Sequence, residues 1–154
     1  MPQKFNIVIA DTSCFILLHK IDELQILKAV FKNIYTTSII KKELGKPLPA
    51  WIKITDPKDQ HYQNILELDI DKGEASAIAL SLEMKNSLLI LDDLKARKLA
   101  EKLHLDYTGT LGVIIKAKKS GLIKSVVPII TKIRKTNFRF SELVIRELLN
   151  AVGE

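Results

Sequence analysis

Five acidic residues lie where predicted strands end or predicted helices begin: Asp11, Glu43, Glu74, Asp92 and Asp93. Asp11 follows the apolar run at residues 5–10, and both Asp92 and Asp93 follow the apolar run at residues 87–91. In open α/β sheets, ligands bind outside the carboxyl ends of the strands. We therefore expect these acids, although distant in sequence, to converge on one crevice.

Clustered carboxylates offer only oxygen ligands, which select hard cations such as Mg²⁺ or Mn²⁺. A bound cation makes water a better nucleophile and offsets charge that develops on a phosphate, so this composition is typical of a phosphodiesterase site. The predicted catalytic residues are all five acids. The predicted metal ligands are Asp11, Glu74, Asp92 and Asp93. The sequence does not distinguish one bound metal from two.

Each acid also has an ordinary structural interpretation, because carboxylates in the first turn of a helix are stabilised by its dipole. Asp11 and Asp92 are the strongest functional candidates. A carboxylate directly after a buried apolar run would lose hydration unless a cation or several hydrogen-bond donors compensated it. Asp69 and Asp71 are instead predicted to shape the turn before Gly73.

Apolar runs of strand length alternate with segments of helical period, which predicts one α/β domain, residues 1–154, with a parallel sheet. Strands are predicted at residues 5–10, 34–37, 51–55 and 87–91, and a last strand and loop at residues 106–110. Helical regions are predicted at residues 15–33, 39–44, 60–68, 74–80, 94–103, 111–119, 126–135 and 141–152. Ser38 is the predicted cap of the second of these, and residues 71–73 are predicted to form a turn.

Positive charge is concentrated in the C-terminal part of the chain. Residues 1–109 contain 15 Lys and Arg against 15 Asp and Glu, whereas residues 110–154 contain 9 against 3, so this basic helical part carries the whole excess of +6. A cationic surface favours a nucleic-acid partner, and Lys116, Lys118 and Lys119 are the predicted contacts. A solvated lysine-rich helix face is the equally plain alternative.

Composition excludes several other classes of protein. No apolar run is long enough to cross a membrane, the first six residues lack a signal-peptide pattern, and Cys14 is the single cysteine. These features predict a cytoplasmic protein without disulfides. The histidines His19, His61 and His104 lack metal-ligand spacing and are predicted on helix surfaces or ends, while Cys14 and Trp51 are predicted to pack.

Five short segments, in this order, resemble the PIN-domain family. They are residues 9–13 (IADTS), 42–44 (KEL), 73–75 (GEA), 91–93 (LDD) with Ala96 and Arg97, and 109–112 (GTLG). The longer stretches at residues 71–79 and 92–97 are similar to a prokaryotic PIN subfamily of predicted nucleic-acid-binding proteins. The resemblance spans roughly residues 7–121.

The resemblance implies a three-layer α/β/α sandwich, Mg²⁺- or Mn²⁺-dependent cleavage of RNA, and frequent service as the toxin of a toxin–antitoxin pair. A homodimer is a further expectation from the family. Asp11 matches the first family acid and Glu43 the second, whereas Glu74 stands where many relatives have Asp. Either Asp92 or Asp93 matches the last acid.

Three hydroxyl residues accompany these acids. By the same resemblance, Thr12 and Ser13 are placed to orient Asp11, and Thr110 to contact a metal-bound water or a phosphate. The structural alternatives are a helix cap for Ser13 and a loop position for Thr110.

Two other functions fit parts of the pattern. A non-catalytic PIN-like module would bind nucleic acid or an antitoxin peptide without hydrolysis. Phosphoryl transfer through an aspartyl-phosphate at Asp11 would require a second Asp two residues later, where Ser13 stands.

Overall fold

The structure is a computed structural model that describes residues 5–154. Residues 1–4, which belong to the segment predicted to lack a signal-peptide pattern, lie outside the described part. The strands are β1 Ile7–Ala10, β2 Ile34–Thr36, β3 Ile52–Ile54, β4 Ser87–Ile90 and β5 Asp106–Thr108. The helices are α1 Thr12–Lys20, α2 Gln25–Val30, α3 Ser38–Leu44, α4 Gln60–Leu66, α5 Lys72–Glu83, α6 Leu94–Lys102, α7 Thr110–Lys119, α8 Val127–Arg134 and α9 Glu142–Ala151.

The strands form one parallel sheet in the order β3-β2-β1-β4-β5, flanked by helices. Residues of β4 are buried along its whole length, as a central strand covered on both faces requires. The chain changes direction across the sheet between β1 and β4, whose last residues, Ala10 and Ile90, are register partners. The predicted α/β/α fold is confirmed. The place where the chain changes direction is the topological switch point of the sheet, and Asp11 lies there because it directly follows β1.

The helical region predicted at residues 15–33 is two helices, so this prediction of one continuous element was wrong. Helix α1 ends at Lys20 and α2 begins at Gln25. Asp22 between them has φ 56°, in the left-handed region that a right-handed helix cannot contain. The apolar spacing continues across the break because both helices pack on the same core.

Two predicted helix starts also need correction. The cap of α3 is Thr37, whose hydroxyl accepts from the Ile40 N–H at 3.3 Å, while the predicted cap Ser38 instead donates to Asp56. Helix α5 begins at Lys72, so residues 72–73 are helical rather than part of a turn. The first error arises because neighbouring short polar side chains have similar capping ability. The second arises because glycine is typical of turns, although Gly73 lies in the first turn of α5.

The residues excluded from chemistry lie where the sequence predicts them. Cys14 is buried, Trp51 packs partly buried against the core, and all three histidines are exposed. Within residues 5–154, none of the helices has the length and apolar character needed to cross a bilayer. The single-domain and cytoplasmic assignments stay predictions.

Candidate active site

Asp11 lies directly after β1, at the switch point of the sheet. Its backbone N–H donates to the Ile90 carbonyl at 3.3 Å, which extends the pairing of β1 with β4 to this residue. The side chain is 5% exposed and accepts from the Thr12 N–H at 2.7 Å, as the cap of α1. Within residues 5–154 no second donor reaches this carboxylate. Asp11 is therefore a nearly buried acid with little compensation.

The electrostatics of Asp11 reflect that burial. Desolvation raises the pKa of its carboxyl from 3.8 to about 7, although the hydrogen bond from Thr12 lowers it. The charges of Asp71, Glu43 and Asp92 raise this pKa further. The predicted convergence of separate acids is thus visible in the electrostatics, because three other segments act on one carboxyl group.

Glu74 is the second buried acid, 7% exposed in the first turn of α5. Burial raises the pKa of its carboxyl from 4.5 to about 8, and hydrogen bonding to Asp71 acts in the same direction. The charges of Asp71, Asp11 and Asp93 add to the shift. Glu74 and Asp11 therefore share one electrostatic environment in which a proton is favoured near neutral pH.

The sequence interpretation did not place Asp71 among the site residues, yet Asp71 belongs with them. We call the site the acidic crevice; its acids are Asp11, Glu43, Asp71, Glu74, Asp92 and Asp93. The Asp71 carboxylate caps α5 by accepting from the Glu74 N–H at 2.9 Å, and its charge raises the pKa values of Asp11, Glu43 and Glu74. An available signal was the spacing of Asp71 and Glu74. An acidic cap followed three residues later by Glu brings both side chains to the first turn of one helix.

Glu43 reaches the crevice from α3. Its carboxylate lies against the Cα of Gly73 in α5, so closely that a Cβ on this glycine would collide with the Glu43 Oε1. The backbone of Glu43 is on an exposed part of α3, but desolvation of the carboxyl and the charge of Asp71 both raise its pKa. Glu43 is thus exposed, whereas Glu74, the acid in the first turn of α5, is buried.

Buried hydroxyl groups connect α3 to α5. The Ser76 hydroxyl donates to the Gly73 carbonyl at 2.7 Å, so the Thr37 hydroxyl donates to Ser76, also at 2.7 Å. Neighbouring Thr36 donates to the carbonyl of Ala10 at 2.9 Å. These bonds join the ends of β1 and β2 to the start of α5, and they position Glu43 and Glu74 relative to Asp11. Sequence reasoning did not identify them.

Asp92 and Asp93 have different structural roles. Asp92 accepts two hydrogen bonds from Thr110, at 2.8 Å from the N–H and 2.5 Å from the hydroxyl. Asp93 caps α6 by accepting from the Ala96 N–H at 3.0 Å. The charges of both residues act on other acids of the crevice: Asp92 raises the pKa of Asp11, and Asp93 raises the pKa of Glu74.

Arg97 and Gly109 support the position of Asp92. The Arg97 Nε donates to the Leu91 carbonyl at 2.9 Å, and its guanidinium lies over the Tyr107 ring. A Cβ on Gly109 would be 2.6 Å from the Arg97 Nη2 and 2.9 Å from the Asp92 Oδ1. The backbone at residue 109 can therefore approach both groups because glycine has no side chain.

The predicted supporting hydroxyl groups are placed unequally. Thr110 is fully buried and binds Asp92, so its position is structural as well as close to the site. The backbone of Thr12, rather than its hydroxyl, holds Asp11; the hydroxyl is buried and has no hydrogen-bond partner within residues 5–154. Ser13 is half-buried and does not cap α1, whose cap is Asp11.

The three predicted nucleic-acid lysines lie at the far end of α7 from Thr110. Lys116 lies over the Phe31 ring, 5.0 Å from its centre, and the Lys118 ammonium is 3.5 Å from the Glu154 carboxylate. Lys119 is exposed. Two of these three cations thus have partners inside the protein.

The donor chemistry of the crevice fits a hydrated divalent cation. Among the described residues, the available donors are oxygens, the buried Thr12 hydroxyl lacks a partner, and no cationic group shifts the pKa of Asp11 or Glu74. Within residues 5–154 no three His, Cys, Asp or Glu side chains are already gathered closely enough to hold a metal ion. Mg²⁺ keeps several waters and takes few direct ligands from protein, so an open set of carboxylates suits it.

A parallel five-stranded sheet with several acids at its switch point defines an α/β protein with a nuclease-like fold. The model of the family DUF3368: PIN domain matches residues 7–154, and the chain belongs to the PIN-domain family. A comparison with curated proteins gave no significant match. Family membership confirms the resemblance drawn from the five motifs, while the roles of individual residues stay predictions.

Proposed function

We propose that this protein is a Mg²⁺- or Mn²⁺-dependent ribonuclease that hydrolyses phosphodiester bonds of single-stranded RNA at the acidic crevice. The observation that carries the proposal is Asp11, a carboxylate that is 5% exposed, accepts one hydrogen bond from the described protein and is surrounded by further acids. A folded protein retains such an arrangement at a cost in stability, which a functional cation would offset.

Asp11, Glu74 and one or both of Asp92 and Asp93 would hold the cation. When bound, the cation supplies an activated water and offsets negative charge on the phosphate. Thr110 fixes the orientation of Asp92 through two hydrogen bonds. Burial keeps bulk water away from Asp11, which strengthens electrostatic interactions there.

Glu43 and Asp71 have supporting roles in this proposal. The accessible carboxylate of Glu43 accepts a proton from the attacking water, a task that suits an acid whose pKa is raised toward the working pH. Asp71 is a positioning residue, because its carboxylate fixes the first turn of α5 and thereby the backbone of Glu74.

The antitoxin partner and the homodimer, expected from the family, remain predictions, as does the cytoplasmic location expected from composition. The competing function is a PIN-like module that binds nucleic acid without hydrolysis. The observation that favours it is the open arrangement of the acids, which form no ready ligand set within residues 5–154.

The decisive experiment compares cleavage of labelled single-stranded RNA with Mn²⁺, with Mg²⁺ and with EDTA, after any bound partner has been removed. Wild-type protein should cleave only with a divalent cation. Asp11→Asn should abolish cleavage, because the amide keeps the shape but removes the charge that holds the cation. The matched control is Asp106→Asn, since Asp106 is exposed at the start of β5, at the opposite edge of the sheet, and should be dispensable.

EDTA-resistant cleavage, or full activity in Asp11→Asn, would overturn the proposal. A well-folded wild type that cleaves none of a varied set of RNAs would favour the binding module.

A further inference from the structure

A cavity of about 560 Å³ lies at the C-terminal end of α3, outside the acidic crevice. Three of its lining residues are lysines, Lys41, Lys42 and Lys46, and the rest of the wall includes Gly45 and Leu48. We call this feature the lysine cleft. It is a wide, open depression rather than an enclosed pocket, so it offers a surface across which an extended ligand can lie.

The three ammonium groups of the lysine cleft are unpaired. Within residues 5–154 none of them forms an ion pair or a hydrogen bond. The nearby acid Asp56 accepts from the N–H and hydroxyl of Ser38, not from a lysine. Three exposed cations around one concavity form a locally positive surface that attracts a polyanion. This differs from the far end of α7, where Lys116 and Lys118 have internal partners.

Local backbone structure gives the cleft its shape. Gly45 ends α3 in the left-handed conformation, φ 66°, and its N–H donates to the Lys41 carbonyl at 3.2 Å. This reversal makes the chain leave the helix axis, so residues after the helix, such as Lys46 and Leu48, line the same depression as Lys41 and Lys42. The helix dipole alone would favour lysines at this end, but it would not require a concavity between them.

The cleft and the acidic crevice are joined through one helix turn. Lys42 precedes Glu43, and the Glu43 carboxylate lies against Gly73 at the start of α5. Lys41 and Lys42 therefore belong to the same helix as the acid that we assign to proton transfer. We expect an RNA strand that leaves the crevice along α3 to pass these lysines.

We propose that the lysine cleft binds backbone phosphates of the RNA strand, next to the phosphate held at the acidic crevice. The inference rests on the proposed ribonuclease function for the identity of the polyanion. It assigns RNA contact to α3 rather than to the end of α7. Lysine suits this task because its ammonium is a compact charge with three donors and no fixed plane, so it can donate to phosphates in varied orientations.

The test measures binding of labelled single-stranded RNA by fluorescence anisotropy in EDTA, at several salt concentrations, so that no cleavage is needed. In the variant K41Q/K42Q/K46Q the slope of log affinity against log salt should flatten by about 2, since each phosphate contact on a single strand contributes about 0.7. The charge-preserving variant K41R/K42R/K46R should keep the slope.

The matched control is K28Q/K32Q/K85Q, which removes the same charge. These lysines are exposed and precede β2 or β4. They therefore lie near the N-terminal ends of the strands, whereas the acids lie near the carboxyl ends, so the loss of these lysines should leave the slope nearly unchanged. K116Q/K118Q/K119Q tests the C-terminal alternative directly. If the variant in all three cleft lysines is unfolded by circular dichroism, the single variants K42Q and K46Q replace it, each with an expected change of about 0.7.

An unchanged slope in the cleft variant, a flattened slope in the C-terminal variant alone, or no RNA binding by wild type would overturn the inference. The first two outcomes concern only the place of RNA contact and leave the ribonuclease proposal intact, whereas the third would count against both. A wild type that binds RNA through the cleft but never cleaves it would refute catalysis and leave the cleft assignment intact.

Discussion

The two sides of the acidic crevice hold their carboxylates differently. On the β1 side, Asp11 is nearly buried and one backbone N–H donates to its side chain, while the buried hydroxyl of the next residue, Thr12, has no partner among residues 5–154. On the β4 side, Asp92 is half-buried and accepts from both the N–H and the hydroxyl of Thr110. A threonine lies beside an aspartate on each side, yet only one of the two hydroxyl groups donates to it.

This difference separates two tasks that acids perform in a site. Thr110 fixes the position of Asp92 and stabilises its charge before anything binds. Asp11 is left without such compensation, and burial raises its pKa to about 7. Asp92, held by Thr110, provides a ligand in a fixed position. Asp11, whose negative charge is uncompensated, would be stabilised by binding a cation. Three substitutions test this contrast.

The largest effect on stability is expected from Asp11→Asn in EDTA. The folded-state pKa of Asp11, about 7, lies above its unfolded value near 3.9, because the buried carboxyl is more stable when protonated. The stability that this proton gives is fully present below about pH 4 and is lost as pH rises through 7, so the free energy of unfolding of the wild type should fall across that range. The variant should gain free energy of unfolding relative to wild type across that range. The gain should reach on the order of 4 kcal/mol, at about 1.4 kcal/mol per pKa unit.

Denaturant unfolding of both proteins from about pH 4 to about pH 8 measures this difference. Asp106→Asn is the control, and its stability should follow that of wild type throughout. Parallel curves for Asp11→Asn and wild type would show that Asp11 is not destabilised by its surroundings.

An intermediate effect is expected from Thr110→Val. The valine keeps the shape of the fully buried side chain and its N–H, but the Asp92 Oδ2 loses its hydrogen bond. Removing one donor to a charged acceptor should cost about 1.5–3 kcal/mol of stability. Looser positioning of a predicted ligand should lower cleavage about 10- to 100-fold.

Thermal unfolding and the RNA-cleavage assay check both numbers. Thr110→Ser keeps the hydroxyl and should restore most of the activity, which a purely steric explanation would not give. A valine variant as stable and as active as wild type would mean that Asp92 does not depend on Thr110.

The smallest effect, with the opposite sign, is expected from Thr12→Val. The buried Thr12 hydroxyl has no partner in the described protein, so replacing it by a methyl group should raise the free energy of unfolding by up to about 1 kcal/mol in EDTA. Thermal unfolding beside Thr110→Val measures the difference in sign. If Thr12→Val is destabilised as much as Thr110→Val, the Thr12 hydroxyl has a bound water as its partner and the two sides of the crevice are alike.

The fold and the convergence of acids could be predicted because they depend on local pattern. Continuous apolar runs indicate central strands, and parallel strands bring their carboxyl ends to one edge. The position of Asp11 and the burial of β4 follow from these rules. The break at Asp22 does not, because apolar spacing persists when two helices share one core.

The hydrogen bonds between side chains of the site could not be predicted in the same way. The bonds from Thr110 to Asp92 join residues 18 apart in sequence, and the bond between Thr37 and Ser76 joins residues 39 apart. Such pairs depend on how finished elements pack, which no local spacing encodes. The unpaired state of the cleft lysines was hidden for the same reason, since net charge per segment does not show which cations have partners.

The contact between Glu43 and Gly73 couples two positions that are 30 residues apart. In the conformation that the structure shows, the end of the Glu43 side chain occupies the volume that a Cβ at residue 73 would fill. A larger residue at position 73 would displace this flexible carboxylate from the start of α5, so the reach of Glu43 into the crevice depends on a residue of another helix.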